Sequence, residues 1–295
     1  MKKQIGYIGL GKMGNNMVER LVSHKWNVVA YDANSKLKVK GTKRASSIKD
    51  LVEQLGKNKL IWVMVPAGKP IESVLKELEK HLAKGDIIID GGNSLYESTV
   101  MRGKQIEKKG IHFMDVGVSG GPSGARNGAC LMIGGEKKIY TQLIPLFRDI
   151  AAPKAYGYMG KSGAGHFVKM VHNGIEYGMM QSIAEGFTIL EKTPFKPDLK
   201  EVARVYNNKS VIESRLVEWL ENGLAEYGDS FKGVSGSVDS TGEGAWTVDA
   251  AKHLKVSIPA IKAALDFRTA LFWDTTALVF TCSTPLEARE TFIFV

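Results

Sequence analysis

Residues 4–14 read Gln4-Ile5-Gly6-Tyr7-Ile8-Gly9-Leu10-Gly11-Lys12-Met13-Gly14, a short apolar run followed by a G-x-G-x-x-G turn that opens an amphipathic segment. Each glycine of the turn has a physical task. Gly9 permits a tight turn, Gly11 lets backbone approach a pyrophosphate, and Gly14 allows close packing of the following helix, whose amino end faces the anion. Leu10, Lys12 and Met13 fill the turn, and Asp32 closes the second apolar run, Asn27 to Tyr31. A strand before the fingerprint, a helix after it and an acidic residue about twenty positions on together predict a dinucleotide site. A carboxylate at Asp32 can accept hydrogen bonds from the adenosine ribose and repels a 2′-phosphate, which favours NAD over NADP. Ser35, Lys36 and Lys38 lie just beyond, where a phosphate contact competes with a solvated loop.

Outward from this stretch, short apolar runs alternate with amphipathic segments as far as about Tyr156. The strands expected are Gln4–Ile8, Asn27–Tyr31, Lys59–Val65, Asp86–Ile89, Ile111–Val116 and Ala129–Ile133. The helices between them are expected near Met13–Ser23, Ser47–Leu55, Pro70–Leu82, Tyr96–Lys108 and Lys137–Ile150. Right-handed crossovers then give an α/β fold, a Rossmann-like doubly wound parallel sheet. After a loop at Gly157–Gly165 the strand rhythm stops and helical patterns follow at His166–Leu190, Leu199–Leu224 and Pro259–Leu271. The expected organisation is a dinucleotide-binding domain over residues 1–160 and an all-helical substrate and oligomerisation domain over 161–295.

The 295 residues are 44% hydrophobic and 24% charged, which excludes disorder, collagen and coiled coil as the dominant architecture. Forty basic residues against 31 acidic ones favour anionic partners. The lysines are scattered singly, as at Lys76, Lys80 and Lys84, without the basic and aromatic clustering of a nucleic-acid surface. Cys130 and Cys282 form neither a disulfide framework nor a zinc-ligand pattern, so no metal is expected. Glycines interrupt the apolar amino terminus and no run reaches the roughly 20 residues of a membrane span. A cytoplasmic protein is expected.

The segment His166–Gly186, HFVKMVHNGIEYGMMQSIAEG, carries the chemistry. Lys169, His172, Asn173 and Glu176 fall at i, i+3, i+4 and i+7 on one helix face, with Tyr177 beside them. Phe167, Val168, Met170, Val171, Ile175, Met179 and Met180 supply an apolar setting. A buried Lys–Glu pair tying helices together explains any two of the four. All four on one stripe point instead to a cavity lining, in which a desolvated lysine acts as base and a glutamate as acid. Two glycine-rich loops, Asp90-Gly91-Gly92-Asn93-Ser94 and Gly117-Val118-Ser119-Gly120-Gly121, follow strands and should reach the same sheet edge as the fingerprint. Val65-Pro66-Ala67 ends the third strand at that edge.

These motifs, from Ile5 to about Arg268, resemble those of the shorter, decarboxylating 6-phosphogluconate dehydrogenases. Fingerprint, DGGNS, GVSGG followed by Gly124-Ala125-Arg126, and KMVHNGIEYG all stand in this chain, the last being the most specific. The resemblance implies hydride transfer from C3 of a phosphorylated sugar acid to NAD, loss of carbon dioxide and protonation of the enediol, without a metal. It implies Lys169 as general base and Glu176 as acid. Asn93, Ser119, Gly120, Gly121, His172 and Asn173 would hold the sugar acid, and Tyr177 and Arg268 its phosphate. Gly9 to Gly14, Asp32, Val65, Pro66, Ala67 and Asn93 would hold the cofactor.

Three departures stand out. Asp32-Ala33-Asn34 replaces the Asn-Arg-Thr of NADP-linked members, supporting NAD. Ser240–Trp246 lacks the lysine of the longer members, leaving Thr241 or a neighbour in its place. The end, Thr281–Val295, lacks the family's Gly-Gly-His tail and closes on Phe292-Ile293-Phe294-Val295, expected to pack on another subunit of a homo-oligomer, dimer or tetramer. A β-hydroxyacid dehydrogenase acting on a small acid, with Lys-x-x-x-Asn-Asn on the lysine helix, is the nearest alternative, and Glu176 is the discriminator. A nucleotide-sensing binding protein with a retired site is a second, against which the retained Lys169 and Glu176 argue.

Overall fold

The computed structural model describes residues 3–229, 231, 234 and 242–270. Thr241, Leu271 and the tail Thr281–Val295 lie outside them. The chain divides into two compact units between Met170 and Val171.

In the first unit, strands β1 (Gln4–Ile8), β2 (Asn27–Tyr31), β3 (Lys43–Arg44), β4 (Leu60–Val63), β5 (Ile87–Asp90), β6 (His112–Ser119), β7 (Ala129–Gly135) and β8 (Ala151–Gly160) form one sheet. Their order is β3-β2-β1-β4-β5-β6-β7-β8. Helices α1 (Lys12–Ser23), α2 (Ile48–Gln54), α3 (Lys69–Leu78), α4 (Tyr96–Glu107), α5 (Gly121–Asn127) and α6 (Lys137–Ile150) join them. Strand residues alternate between two cores, as a sheet covered on both faces requires. Ile5, Tyr7, Leu60 and Trp62 pack with Met17, Leu21, Leu143 and Phe147 on one face. Ile8, Ile61, Val63 and Ile88 pack with Leu51, Ile71, Leu75 and Ile106 on the other.

The six expected strands and five expected helices are present, but the sheet is not wholly parallel. β3 to β6 run parallel around β1, whereas β7 is antiparallel to β6. The reason is the connection: residues 120–128 hold only the seven-residue α5, shorter than the dozen or so residues a crossover back to the starting edge needs. The expected loop at Gly157–Gly165 is also corrected, because its first four residues finish β8, which pairs with β7 through Leu131↔Tyr156 and Ile133↔Tyr158. Tyr156 and Tyr158 pack partly buried rather than turning in solvent.

Helix α7 (Ala164–Lys192) crosses the division between the units. The second unit continues with α8 (Leu199–Tyr206), α9 (Arg215–Tyr227), α10 (Glu243–His253) and α11 (Pro259–Ala270). The single helix expected over Leu199–Leu224 is thus two. Asn207-Asn208-Lys209-Ser210 breaks it with Lys209 at φ 67°, and Ser214 starts the second by accepting a hydrogen bond from Val217 N at 3.3 Å. Met180, Ala184 and Phe187 of α7 form this unit's core with Leu199 and Ala203 of α8 and Leu216, Leu220 and Leu224 of α9.

Candidate active site

Because β1, β4, β5 and β6 are parallel, the fingerprint, the Val65–Ala67 loop, the Asn93 loop and the Ser119–Gly121 loop leave the sheet at one edge. Gly9 has φ +99°, and a methyl there would sit 2.1 Å from Met64 O. A methyl on Gly14 would sit 2.0 Å from Gly9 O, so α1 is packed on the turn itself. Gly11, the N-cap of α1, has φ −62° and no side chain caps the helix. A methyl there would meet nothing within 4 Å. That open space, at the positive end of a twelve-residue helix, is the kind of cradle a pyrophosphate fills.

Asp32 is tied to the same turn: Oδ2 accepts Leu10 N at 2.6 Å and Oδ1 accepts Asn34 N at 2.7 Å. Each oxygen keeps a lone pair for a ribose hydroxyl. These residues therefore fit a dinucleotide. Lys36 and Lys38 stand exposed on the loop beyond, as do Pro66 and Ala67 on theirs.

The loop bearing Asn93 is shaped by a buried network absent from the sequence reading. Asp90 accepts hydrogen bonds from Gly92 N at 3.0 Å and Ser94 Oγ at 3.2 Å. Arg102 of α4 donates to Ser94 Oγ at 2.9 Å and pairs with Glu72 of α3 at 2.8 Å. Ser119 is the last residue of β6, and Gly120 takes the left-handed φ of +117° to start α5.

Lys169 lies against β6: a methyl on Gly117 would be 2.3 Å from its Cβ. Its charge also reaches the Cys130 thiol, which partial burial raises above its ordinary pKa while Lys169 pulls it down. Cys130 stands opposite Ser119 in the β6–β7 ladder. Lys169 thus shares one corner of the first unit with the Ser119 loop.

In the second unit, His172 Nδ1 lies 3.0 Å from Asn173 Oδ1 and 3.6 Å from Glu176 Oε2. Asn173 is buried and donates to Glu243 Oε1 at 2.8 Å. Glu243, buried in the first turn of α10, is a site neighbour that the sequence reading missed. Close helix contacts bring it there, since methyls on Gly174 and Gly244 would strike Thr247 Cγ2 and Tyr177 Cε2, each at 2.7 Å. The Arg268 guanidinium of α11 stacks 4.6 Å over the Tyr177 ring, so the two expected phosphate ligands are neighbours. The apolar setting expected around α7 holds for Met170 and Met180, whereas Ile175 and Met179 are 52% and 42% exposed. They lie on the helix face turned away from Gly174 and Tyr177, against which α10 packs.

The arrangement thus offers a turn for a dinucleotide, a lysine beside a Ser–Gly–Gly loop, and a histidine–asparagine–glutamate group on the same helix. A family model described as the NAD binding domain of 6-phosphogluconate dehydrogenase matches residues 4–171, and one described as its C-terminal domain matches residues 165–274. The chain belongs to the 6-phosphogluconate dehydrogenase family. Among its relatives is the NAD(+)-dependent, decarboxylating 6-phosphogluconate dehydrogenase of Haloferax volcanii, 41% identical over 89% of this chain and 88% of that protein. A Bacillus subtilis protein provisionally named a 6-phosphogluconate dehydrogenase is 43% identical over 92% of this chain and 93% of its own length. Candida albicans 6-phosphogluconate dehydrogenase is 38% identical over 88% of this chain, which spans 54% of that protein's length. The solved Plasmodium falciparum 6-phosphogluconate dehydrogenase superposes with TM-score 0.82 at 30% identity, covering 91% of this chain and 62% of that one. Mycobacterium tuberculosis 3-hydroxyisobutyrate dehydrogenase, at TM-score 0.76 and 20% identity over 95% of this chain and 97% of that one, shares the fold. Among the described residues no helix is long and apolar enough to cross a membrane.

Proposed function

We propose that this chain oxidises and decarboxylates 6-phosphogluconate to ribulose 5-phosphate and carbon dioxide with NAD. The observation that carries the reading is Lys169, His172, Asn173 and Glu176 within two turns of α7, in a chain matched over nearly its whole length to the family. NAD, when bound at the fingerprint and Asp32, supplies the acceptor for the C3 hydride. Lys169 takes the proton of the C3 hydroxyl, leaving a ketone β to the C1 carboxylate. The C1–C2 bond then breaks, carbon dioxide departs, and its electron pair remains on C2, shared with the C3 oxygen as an enediolate. Glu176 delivers a proton to that carbon, giving the ketose phosphate.

Asn93, Ser119, Gly120, Gly121, His172 and Asn173 hold the sugar acid, and Arg268 with Tyr177 holds its phosphate. Residues 1–160 serve the dinucleotide and 161–295 the substrate and assembly. Ile175, Met179 and Ile189 are 52%, 42% and 71% exposed and fall within one narrow stripe of α7 at the helical repeat of 3.6. Such a stripe supports a homo-oligomer. The phosphorylated substrate and soluble cofactor support a cytoplasmic enzyme.

The test is the rise in absorbance of reduced nicotinamide, with release of one carbon dioxide per turnover, on mixing protein, NAD and 6-phosphogluconate. No turnover with this substrate, and turnover with an unphosphorylated 3-hydroxy acid, would overturn the reading.

A further inference from the structure

Asp115, in the middle of β6, is a fully buried carboxylate that plays no part in the proposed chemistry. Its Oδ1 accepts Gly163 N at 2.7 Å and its Oδ2 accepts His166 N at 2.9 Å. These are the N-cap and third residue of α7, so one side chain from the sheet satisfies two N–H groups that a helix start otherwise leaves open. Such caps usually come from the chain just before the helix. Here the cap lies 48 and 51 residues away and ties the helix to a strand.

Side chains two apart on a strand point to the same face, so Asp115, Gly117 and Ser119 share one side of β6. Asp115 grips the first turn of α7, Gly117 touches the Lys169 stem and Ser119 ends at the candidate substrate loop. From His166 to Lys169 the helix rises about 4.5 Å, and two strand residues advance about 6.7 Å, so the two contacts fall a comparable step apart on each element. Glycines make the fit tight. A methyl on Gly134, which pairs with Asp115 across the sheet, would stand 2.5 Å from Asp115 Oδ1, and one on Gly165 would stand 2.7 Å from Asp115 O. Thr99 Oγ1 of α4 also meets His166 Nδ1 at 2.8 Å, and Tyr96 packs edge-on against Phe167.

We propose that Asp115 is a positioning residue: together with Gly117 it fixes the register of α7 on β6, and so sets where the Lys169 amine stands relative to the Ser119 loop. The inference rests on the reading of Lys169 as the base. Asp115→Asn nearly preserves shape but turns an NH2 group toward a backbone N–H, so α7 shifts or rotates on the strand. Gly117→Ala leaves the cap intact and pushes the Lys169 stem directly, since its methyl would be 2.3 Å from Lys169 Cβ and 3.0 Å from Cγ.

The experiment measures kcat per NAD-binding site, the NAD Kd, the KM for 6-phosphogluconate and the deuterium isotope effect at C3, for Asp115→Asn, Gly117→Ala and Lys169→Met. Both register variants should lose about 10- to 100-fold in kcat per NAD-binding site, the scale of an ångström-level misplacement. NAD affinity should stay within about twofold, because the fingerprint is untouched. The isotope effect should rise as hydride transfer becomes limiting. A purely structural Asp115 would instead lower the number of NAD-binding sites and leave the per-site rate and the isotope effect unchanged, and that result overturns the proposal. If Asp115→Asn yields no folded protein, Gly117→Ala decides, and a wild-type per-site rate there is equally fatal. Lys169→Met keeps the two readings apart. An active Lys169→Met removes the base assignment, whereas an inactive one beside fully active register variants removes only the positioning.

Discussion

Replacing Gly11 by alanine separates binding from folding at the dinucleotide turn. The added methyl would meet no protein atom within 4 Å, and φ −62° suits any residue. Stability should therefore change little: alanine is a poorer N-cap than glycine, but it also restricts the unfolded chain by about 0.4–1 kcal/mol, and the two effects oppose. The bound pyrophosphate meets the methyl instead. Forcing one extra carbon into a fitted contact costs about 1–3 kcal/mol, which is roughly a 5- to 150-fold weaker NAD Kd. Gly14→Ala is the contrasting control, because its methyl would sit 2.0 Å from the Gly9 carbonyl oxygen and 3.3 Å from Tyr7 Cε1. Backbone must move to admit it, so the melting temperature should fall by about 2–10 °C. Calorimetric titration with NAD and thermal unfolding of both variants make the test. A Gly11→Ala protein that binds NAD within twofold of wild type would refute the claim that backbone approaches phosphate there.

Lys169→Met should abolish oxidation with NAD affinity nearly intact, while Glu176→Gln should slow the final protonation and let carbon dioxide release outrun ribulose 5-phosphate formation. Paired assays of reduced nicotinamide, carbon dioxide and product check both, and more than a few per cent of wild-type rate in Lys169→Met would displace the base. Arg268→Ala should raise KM for 6-phosphogluconate about tenfold and narrow its advantage over gluconate, since a guanidinium contact to phosphate contributes about 1.5–3 kcal/mol. Wild-type kcat/KM should favour NAD over NADP, and a clear advantage for NADP would mean that Lys36 or Lys38 overrides Asp32. Burial pushes the Asp149 carboxyl up, but hydrogen bonds from Lys3 and Trp26 and the charges of Lys3 and His24 outweigh it and hold it below the usual range. A depressed folded pKa means that its stabilisation is complete above about pH 4 and is lost as pH falls through the folded value. Asp149→Asn should therefore lower stability at neutral pH and flatten the acid side of the stability profile, read by denaturant titration at several pH values.

The sequence by itself determined the elements whose cause is local. Apolar runs of strand length, the glycine spacing after β1 and the i, i+3, i+4, i+7 polar stripe of α7 are each written in neighbouring residues, so the nucleotide turn and the lysine helix were legible without coordinates. Tertiary structure decided what depends on residues far apart. The antiparallel turn of β7 follows from a connection too short to cross the sheet, although β7 itself reads like its parallel neighbours. β8 is a strand because β7 offers it an edge, not because Ala151–Gly160 alternates cleanly. Asp115 and Glu243 look like ordinary acidic residues in the sequence. Their roles arise only when folding removes water from them and places Gly163 N and His166 N beside the first and Asn173 beside the second, since a buried carboxylate is stable only where such donors meet it.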